Sequence, residues 1–250
     1  MEVVELKSEE LVPSLGDAFG EALSQWWRQK GRVYELVERD DGAIFVSDIA
    51  HYFDSFDDWE APEQLICKHA KGRVLDVGCG AGRHSLYLQE MGMRVLAIEP
   101  SPGAAAVARS RGIEVLEQPL SDLGPSKKFD SILLGGQNLG LLESRERAPD
   151  VFNRLAAVAS PGAVLLGVGI DPRFLTSSTN IRYMERNVSR GLMPGQQRLR
   201  IRHGAAATAW FDYLFASPEE LGRLADSTPW TLQSSEGFGP NFFACFTLSD

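Results

Sequence analysis

A glycine-rich turn between a buried strand and a helix constrains the fold of this chain more than any other segment. The apolar residues 73–77 (RVLDV) lead into three glycines at alternate positions, Gly78, Gly80 and Gly82, and a helical pattern follows. A second short apolar segment comes next, at 94–99. Short strands without polar alternation are typical of parallel sheets covered on both faces, whose carboxyl edge binds ligands. The turn therefore predicts an α/β domain with a ligand site at that edge.

The same alternation of strands and helices continues to residue 170. Strands are predicted at 113–118, 129–134 and 163–170, and a helix around 149–159 precedes the last of them. Connections of this kind build a parallel sheet with helices on both faces. The fold class is therefore predicted as α/β, with a doubly wound, mostly parallel sheet.

Two segments outside this alternation complete the predicted organisation. Residues 1–60 are predicted as an N-terminal helical cap, in which 14–30 form an amphipathic helix with a capping-box-like start. Residues 61–250 form the main domain. An arginine-rich arm with a β-hairpin is inserted in it at 171–216, after the fifth strand, and a final strand at 242–248 closes the chain.

Composition narrows the classes of partner. With 25 Lys and Arg against 34 Asp and Glu the net charge is −9, which disfavours binding to nucleic acid or to an anionic membrane. The three cysteines form no CxxC pair, so neither a disulfide framework nor a zinc site is predicted. The first ten residues lack a secretory pattern, and the longest apolar run is far below the ~20 residues that span a bilayer. We expect a cytoplasmic monomer or homodimer.

The glycine spacing discriminates between ligands. A dinucleotide fold favours GxGxxG, but this chain has GxGxG with Arg83 directly after it, which suits a ligand without a pyrophosphate. Glu99 ends the second strand, 17 residues after Gly82, where a carboxylate can accept both hydroxyls of a ribose. An ordinary glycine turn and an ordinary strand-end glutamate remain the alternatives.

These residues also resemble a known family. The segments 74–88 (VLDVGCGAGRHSLYL), 99–102 (EPSP) and 160–163 (SPGA) are similar to the class I S-adenosylmethionine-dependent methyltransferases. The resemblance implies a Rossmann-like, seven-stranded sheet whose last strand is antiparallel. It also implies S-adenosylmethionine as cofactor, S-adenosylhomocysteine as product, and no metal. The main domain at 61–250 would then be the methyltransferase domain.

The resemblance further implies which residues hold the cofactor. The glycine loop would hold the amino-acid part and Glu99 the ribose. The acid that often contacts adenine in this family is replaced by Pro119, so adenine recognition is expected at the Leu120 backbone or at Asp122. The full set of predicted cofactor-binding residues is Asp76, Gly78, Cys79, Gly80, Gly82, Glu99, Pro100, Leu120, Gly135 and Gly136.

The two segments that flank the cofactor domain carry opposite charge. Residues 35–60 hold nine acids against one arginine, together with several aromatic residues, and residues 171–202 hold seven arginines against two acids. The acidic segment is either a solvated helix face or, through Tyr52, an aromatic lid over the cofactor. The arginines either pair with those acids and hold the cap shut or attract an anionic substrate. The candidate substrate shell consists of Asn138, Tyr183, Arg190, Arg200, Arg202 and Trp210.

The function predicted from these observations is methyl transfer to oxygen or nitrogen of a small metabolite. The metabolite can be anionic, because the arginines of residues 171–202 could bind an anion. The sulfonium is already activated, so in-line positioning is the main requirement. His84 and Tyr52 are the candidate catalytic residues, although a histidine at a helix start is often structural. A regulatory protein that binds S-adenosylmethionine without catalysis is the first alternative, and a nicotinamide enzyme is the second.

Overall fold

Two β-sheets organise the protein. The computed structural model describes residues 13–124 and 128–249, so the prediction made for the first ten residues lies outside the described part of the chain. Within these described ranges, one sheet has seven strands and the other six. The larger sheet forms the main domain, and the smaller one lies over its carboxyl edge.

The seven-stranded sheet confirms the predicted fold class. Along the sheet its strands are β12 (Trp230–Phe238), β13 (Asn241–Leu248), β8 (Ala159–Ile170), β7 (Phe129–Leu134), β4 (Arg73–Val77), β5 (Arg94–Ile98) and β6 (Val115–Leu116). Strands β4 to β8 run parallel to one another, whereas β13 is antiparallel to both β8 and β12. The order of the strands reverses between β4 and β7, and such a switch point is where open α/β sheets bind ligands.

Helices cover both faces of this sheet. They are α2 (Ala61–His69), α3 (Arg83–Glu90), α4 (Pro102–Ser110), α5 (Ala148–Val158) and α7 (Pro218–Ala225). Neighbouring residues of one strand belong to opposite cores: Ile132 packs with Phe152 on one side, and Leu133 packs with Ile66 on the other. The apolar runs read from the sequence are therefore buried on both faces, as a parallel sheet requires.

The smaller sheet combines the N-terminal segment with the inserted arm. Its strands are β1 (Ser14–Leu15), β2 (Tyr34–Arg39), β3 (Ile44–Asp48), β9 (Gln196–His203), β10 (Ala206–Ala207) and β11 (Phe211–Leu214). Strand β2 pairs with β9, with Leu36 opposite Arg202. Helix α6 (Ser178–Ser189) precedes β9 in the arm. The predicted cap and arm are thus one structural unit, which we call the cap sheet.

The N-terminal segment differs from the predicted helical cap. Residues 34–48 form a β-hairpin, and the 3-10 helices Ile49–Phe53 and Phe56–Asp58 follow it. The turn contains Asp41 and Gly42, whose φ is +85°, and an Asp-Gly pair is a strong hairpin signal. The long-range pairing with β9 stabilises this hairpin, and no local periodicity reports such a contact.

Helix α1 (Ala18–Gln29) connects the cap sheet to the main domain. It begins after Asp17 rather than at Ser14, because Ser14 pairs with β10. The Asp17 carboxylate accepts hydrogen bonds from the Ser101 hydroxyl (2.6 Å) and the Gly103 amide (2.7 Å) at the start of α4. A Cβ atom on Gly103 would lie 2.7 Å from the backbone of Gly20, so the two helices touch at glycines.

Candidate functional site

The turn after β4 has a backbone that glycine alone adopts readily. Gly78, Gly80 and Gly82 have φ angles of +71°, +55° and +79°, in the left-handed region. The Gly78 amide donates to Ile98 O at 2.9 Å, which fixes the turn against the end of β5. A Cβ atom on Gly78 would lie 2.7 Å from Asn138 Nδ2. The loop therefore offers its backbone, without side chains, at the switch point.

Glu99 is buried beside this loop. It is 4% exposed, its Oε2 accepts a hydrogen bond from the Gly80 amide at 2.8 Å, and its Oε1 accepts one from the Ser101 amide at 3.0 Å. Burial raises the pKa of Glu99 to about 7, against the lowering effect of these two amides. Each carboxylate oxygen has a second lone pair, so both can still accept a ligand hydroxyl. Pro100, the next residue, is exposed.

Two predicted cofactor residues direct their side chains into the protein. Asp76 is buried, and its Oδ2 accepts a hydrogen bond from the Ser85 hydroxyl at 2.6 Å. The Cys79 side chain packs with Ala105 and Ile113 in the core under α4, and burial raises the pKa of its thiol. These two side chains support the loop from inside the protein. Of Cys79, only the backbone is therefore free to contact a ligand.

The turn after β7 lies against the glycine loop. The Asn138 side-chain amide donates to Val77 O and Gly78 O, both at 3.0 Å. The Tyr213 hydroxyl, from β11, donates to Gln137 O at 2.8 Å, and it lies 3.4 Å from Asn138 Oδ1. Asn138 therefore joins the two loops and the cap sheet. Its polar atoms already have partners in the protein, which disfavours its predicted contact with a substrate.

A buried charge cluster supports the turn after β7 from the main-domain side. Both carboxylate oxygens of Glu63 accept a hydrogen bond from the Gly136 amide at 3.1 Å. Arg83 Nη2 lies 3.4 Å from Glu63 Oε1. His84 Nε2 lies 2.8 Å from Glu63 Oε2, off the direction of an ideal hydrogen bond. Burial alone would raise the pKa of Glu63, but His84, Arg83 and the Gly136 amide hold it at about 2. We call these residues the Glu63 cluster.

The contacts of His84 favour the structural interpretation over the catalytic one. The side chain is almost fully buried, and its ring packs edge-on against Trp59 at 4.8 Å. A Cβ atom on Gly135 would lie 2.7 Å from His84 Nδ1, so the ring fills the space beneath that turn. His84 thus supports Gly135 and Gly136 from below.

Tyr52 lies over the glycine loop, where the lid hypothesis requires it. A Cβ atom on Gly80 would lie 3.5 Å from both the Tyr52 and Phe19 rings, which meet edge-on. The Tyr52 hydroxyl donates to Glu35 Oε1 at 3.0 Å. Burial raises the pKa of Tyr52 well above its ordinary value. It also raises the pKa of Glu35 to about 7, although the Tyr52 hydrogen bond lowers it.

Several predicted site residues make their contacts elsewhere. The Tyr183 hydroxyl donates to Asp40 Oδ1 at 2.7 Å, and its ring lies 3.9 Å from the Arg39 guanidinium, within the cap. Arg190 is exposed where α6 ends. The Trp210 ring lies 4.7 Å from the Arg200 guanidinium. Leu120, at the start of a 3-10 helix after β6, is half-buried against the main core.

The arginines of β9 pair with the acidic hairpin, which was one of the two predicted alternatives. Arg200 Nε donates to Glu38 Oε2 at 2.9 Å, and Arg202 Nη1 lies 3.4 Å from the same atom. Hydrogen bonding to Arg200 lowers the pKa of Glu38. The opposed charge blocks of the sequence therefore meet across the β2–β9 pair and stabilise the cap sheet.

Replacing Arg200 with alanine is expected to lower the free energy of unfolding by about 1 kcal/mol and Tm by about 2–4 °C, because Glu38 loses its principal partner. Thermal unfolding measures the change. Arg198→Ala is the control, because Arg198 lies on the same strand and pairs with exposed Asp212. An unchanged Tm together with a raised KM for the acceptor would instead place Arg200 in the substrate site.

Sequence reasoning did not single out four residues that build this site: Asp17, Glu35, Glu63 and Tyr213. Asp17 carried a readable signal, the N-cap of α1. The partners of the other three lie 17 to 76 residues away along the chain. No motif or spacing reports such contacts.

Comparisons with known proteins agree with this geometry. Residues 74–162 match the family described as "Methyltransferase domain". A ubiquinone biosynthesis O-methyltransferase from Azorhizobium caulinodans is 29% identical over 165 residues, 60% of this chain and 58% of that protein. A putative methyltransferase, YqeM, from Bacillus subtilis is 29% identical over 102 residues, 38% of this chain and 41% of that protein. The chain thus spans about half the length of the curated relatives it matches.

A solved structure extends the likeness in fold over nearly the whole chain. A methyltransferase from Bacteroides fragilis, described as S-adenosylmethionine-dependent and in complex with S-adenosylhomocysteine, superposes with a TM-score of 0.82 at 23% identity. The match covers 96% of this chain and 98% of that one, so it includes the cap sheet as well as the main domain.

Two features are absent from the described residues. No helix among them is long and apolar enough to cross a bilayer. Within the same residues, no group of three His, Cys, Asp or Glu side chains is arranged to hold a metal ion.

Proposed function

We propose that this chain, which carries a class I S-adenosylmethionine-dependent methyltransferase domain, transfers the methyl group of S-adenosylmethionine to oxygen or nitrogen of a small metabolite. The observation that carries the proposal is the buried Glu99 carboxylate hydrogen-bonded to the Gly80 amide of the GxGxG loop. A carboxylate held there, at the switch point of a parallel sheet, fits a ribose without an adjoining pyrophosphate. A cytoplasmic location and a monomeric or homodimeric state stay predictions.

The residues present fit the parts of this cofactor. Gly78, Gly80 and Gly82 carry no side chains, so a ligand can approach the loop backbone closely. Glu99 offers acceptor lone pairs to the ribose hydroxyls. Leu120, which follows β6 at the same edge, remains the proposed adenine contact. The Tyr52 and Phe19 rings lie over Gly80, where their electron-rich faces favour a cationic sulfonium.

Positioning is the main contribution of the protein to the reaction. The cofactor supplies a methyl group already activated on sulfur, so neither a covalent enzyme intermediate nor a metal is needed. The cap sheet covers the loop and excludes water, which would compete with the acceptor. Holding donor and acceptor in line supplies about 7–11 kcal/mol by effective molarity. The A. caulinodans relative is named for O-methylation, which supports oxygen as one acceptor atom.

Incubation with S-adenosylmethionine and a panel of phenols, alcohols, amines and carboxylic acids tests the proposal through the S-adenosylhomocysteine formed. We expect turnover with at least one class, and a lower rate for Glu99→Ala when the cofactor is kept below its wild-type KM. Tight binding of S-adenosylmethionine without turnover across the panel would favour the regulatory-protein alternative. A thermal shift with NAD and none with S-adenosylmethionine would overturn the assignment of the cofactor.

A further inference from the structure

We propose that Glu35 is the general base of this site and that the acceptor is an amine or hydroxyl whose proton Glu35 receives. The inference deepens the proposed function and rests on it. Glu35 is one of the nine acids of residues 35–60, and the sequence alone indicates no individual role for it.

Glu35 is a buried carboxylate with one oxygen unused. Glu35 is 3% exposed, and its Oε1 accepts the hydrogen bond from the Tyr52 hydroxyl. Oε2 is buried and has no hydrogen-bond partner among the described residues. An unsatisfied buried carboxylate oxygen costs folding free energy, so proteins seldom keep one without a use. A ligand that donates a hydrogen bond would satisfy it.

The position of Glu35 places this oxygen at the site. The Tyr52 ring lies on Gly80 of the cofactor loop, and the hydroxyl at its far end meets Glu35. Glu35 is therefore one tyrosine ring away from the loop backbone. Strand β2 carries it on the face opposite Glu38, the partner of Arg200, because side chains alternate along a strand.

The charged and titratable groups near Glu35 do not neutralise it. Tyr52 is its hydrogen-bonded neighbour, and Tyr213 from β11 and Arg83 from α3 act electrostatically on that tyrosine. On β9, His203 lies one residue beyond the Leu36–Arg202 pair. Its two ring nitrogens are held by Tyr34 O at 3.0 Å and Gln25 Oε1 at 2.8 Å. A carboxylate without a paired cation favours a proton donor and repels an anion.

The chemistry balances without a further reactant. The acceptor X–H donates its hydrogen bond to Glu35 Oε2. As the bond from X to the methyl carbon forms, the bond from that carbon to sulfur breaks and its electron pair stays on sulfur. The proton of X–H moves to Oε2 and later leaves to solvent. Burial raises the pKa of Glu35 to about 7, close to the value that serves a general base at neutral pH.

Glu35→Gln tests the proposal with an almost isosteric change. With an acceptor from the panel, kcat is expected to fall at least about 100-fold, while the Kd for S-adenosylhomocysteine changes less than threefold. The wild-type kcat should rise with pH through about 7, and this limb should vanish in the variant. A kcat within threefold of wild type, or an unchanged pH limb, would overturn the role.

Two further variants separate the base from a structural role. Tyr52→Phe removes the hydrogen bond that lowers the pKa of Glu35, so the rising limb should move to higher pH. Glu38→Gln, on the opposite face of β2, is the matched control and should lower Tm while leaving the pH limb in place. A limb that moves equally in both variants would contradict the assignment.

A substrate-independent measurement covers the case in which no acceptor turns over, which would count against the proposed function alone. Carbon-13 NMR of glutamate-labelled protein saturated with S-adenosylhomocysteine should contain one carboxyl signal that is absent from Glu35→Gln and titrates near pH 7. Benzylamine or phenol should shift this signal, and benzoate should not. Titration of that signal below pH 5, or an equal response to benzoate, would overturn the role of Glu35.

Discussion

Replacing Glu99 with alanine is expected to weaken the binding of S-adenosylhomocysteine about 5- to 150-fold, which corresponds to about 1–3 kcal/mol. The variant loses the acceptors that we propose for the ribose hydroxyls. It also leaves the Gly80 and Ser101 amides without the partners that fix the glycine loop. Isothermal titration calorimetry measures the change directly. An affinity within twofold of wild type would remove Glu99 from the cofactor site.

The same carboxylate makes cofactor affinity depend on pH. Because burial raises the pKa of Glu99 to about 7, the free protein holds this group increasingly protonated as pH falls below that value. Ribose hydroxyls donate to the ionised form, so wild-type affinity should decline between about pH 8 and pH 6. Glu99→Ala should lose this dependence. Glu90→Ala is the matched control, because Glu90 is an exposed carboxylate at the end of α3 and should keep it.

The second large effect is expected for Glu63→Ala, a loss of about 3–5 kcal/mol in the free energy of unfolding. The change removes the carboxylate that faces Arg83 and His84 and leaves the Gly136 amide unsatisfied. For a chain of this length each kcal/mol lowers Tm by about 2–4 °C. Asp57→Asn is the control, because it changes an exposed carboxylate six residues earlier in the chain, and it should leave Tm within one degree.

Glu63→Gln adds a pH signature to this test. The folded pKa of Glu63, about 2, lies below the ordinary value of 4.5, so its ionisation stabilises the protein above pH 4.5. That stabilisation is lost as pH falls from about 4.5 towards 2. The difference in unfolding free energy between wild type and Glu63→Gln should therefore shrink over this range. A difference that stays constant down to pH 2 would show that Glu63 is not ionised in the folded protein.

The main domain can be predicted from the sequence because the patterns that specify it are local. The run RVLDV followed by Gly78, Gly80 and Gly82 determines a buried strand and a turn whatever the rest of the chain does. Glu99 was found for the same reason, since a fixed spacing places it at the end of the next strand. The N-terminal hairpin was assigned to a helical cap, although Asp41-Gly42 marked its turn. Its pairing partner, β9, lies more than 150 residues away.

What the sequence determined by itself was the parallel sheet, the glycine loop and the place of Glu99 at the end of the next strand, because apolar periodicity and glycine conformation act over a few residues. The tertiary structure decided which polar groups meet. It paired Arg200 with Glu38, placed His84 against Glu63, and brought Tyr52 to Glu35 above Gly80. Electrostatic and hydrogen-bonding energies depend on distance and burial in space. The role that we propose for Glu35 therefore depends on the packing of the cap sheet over the loop.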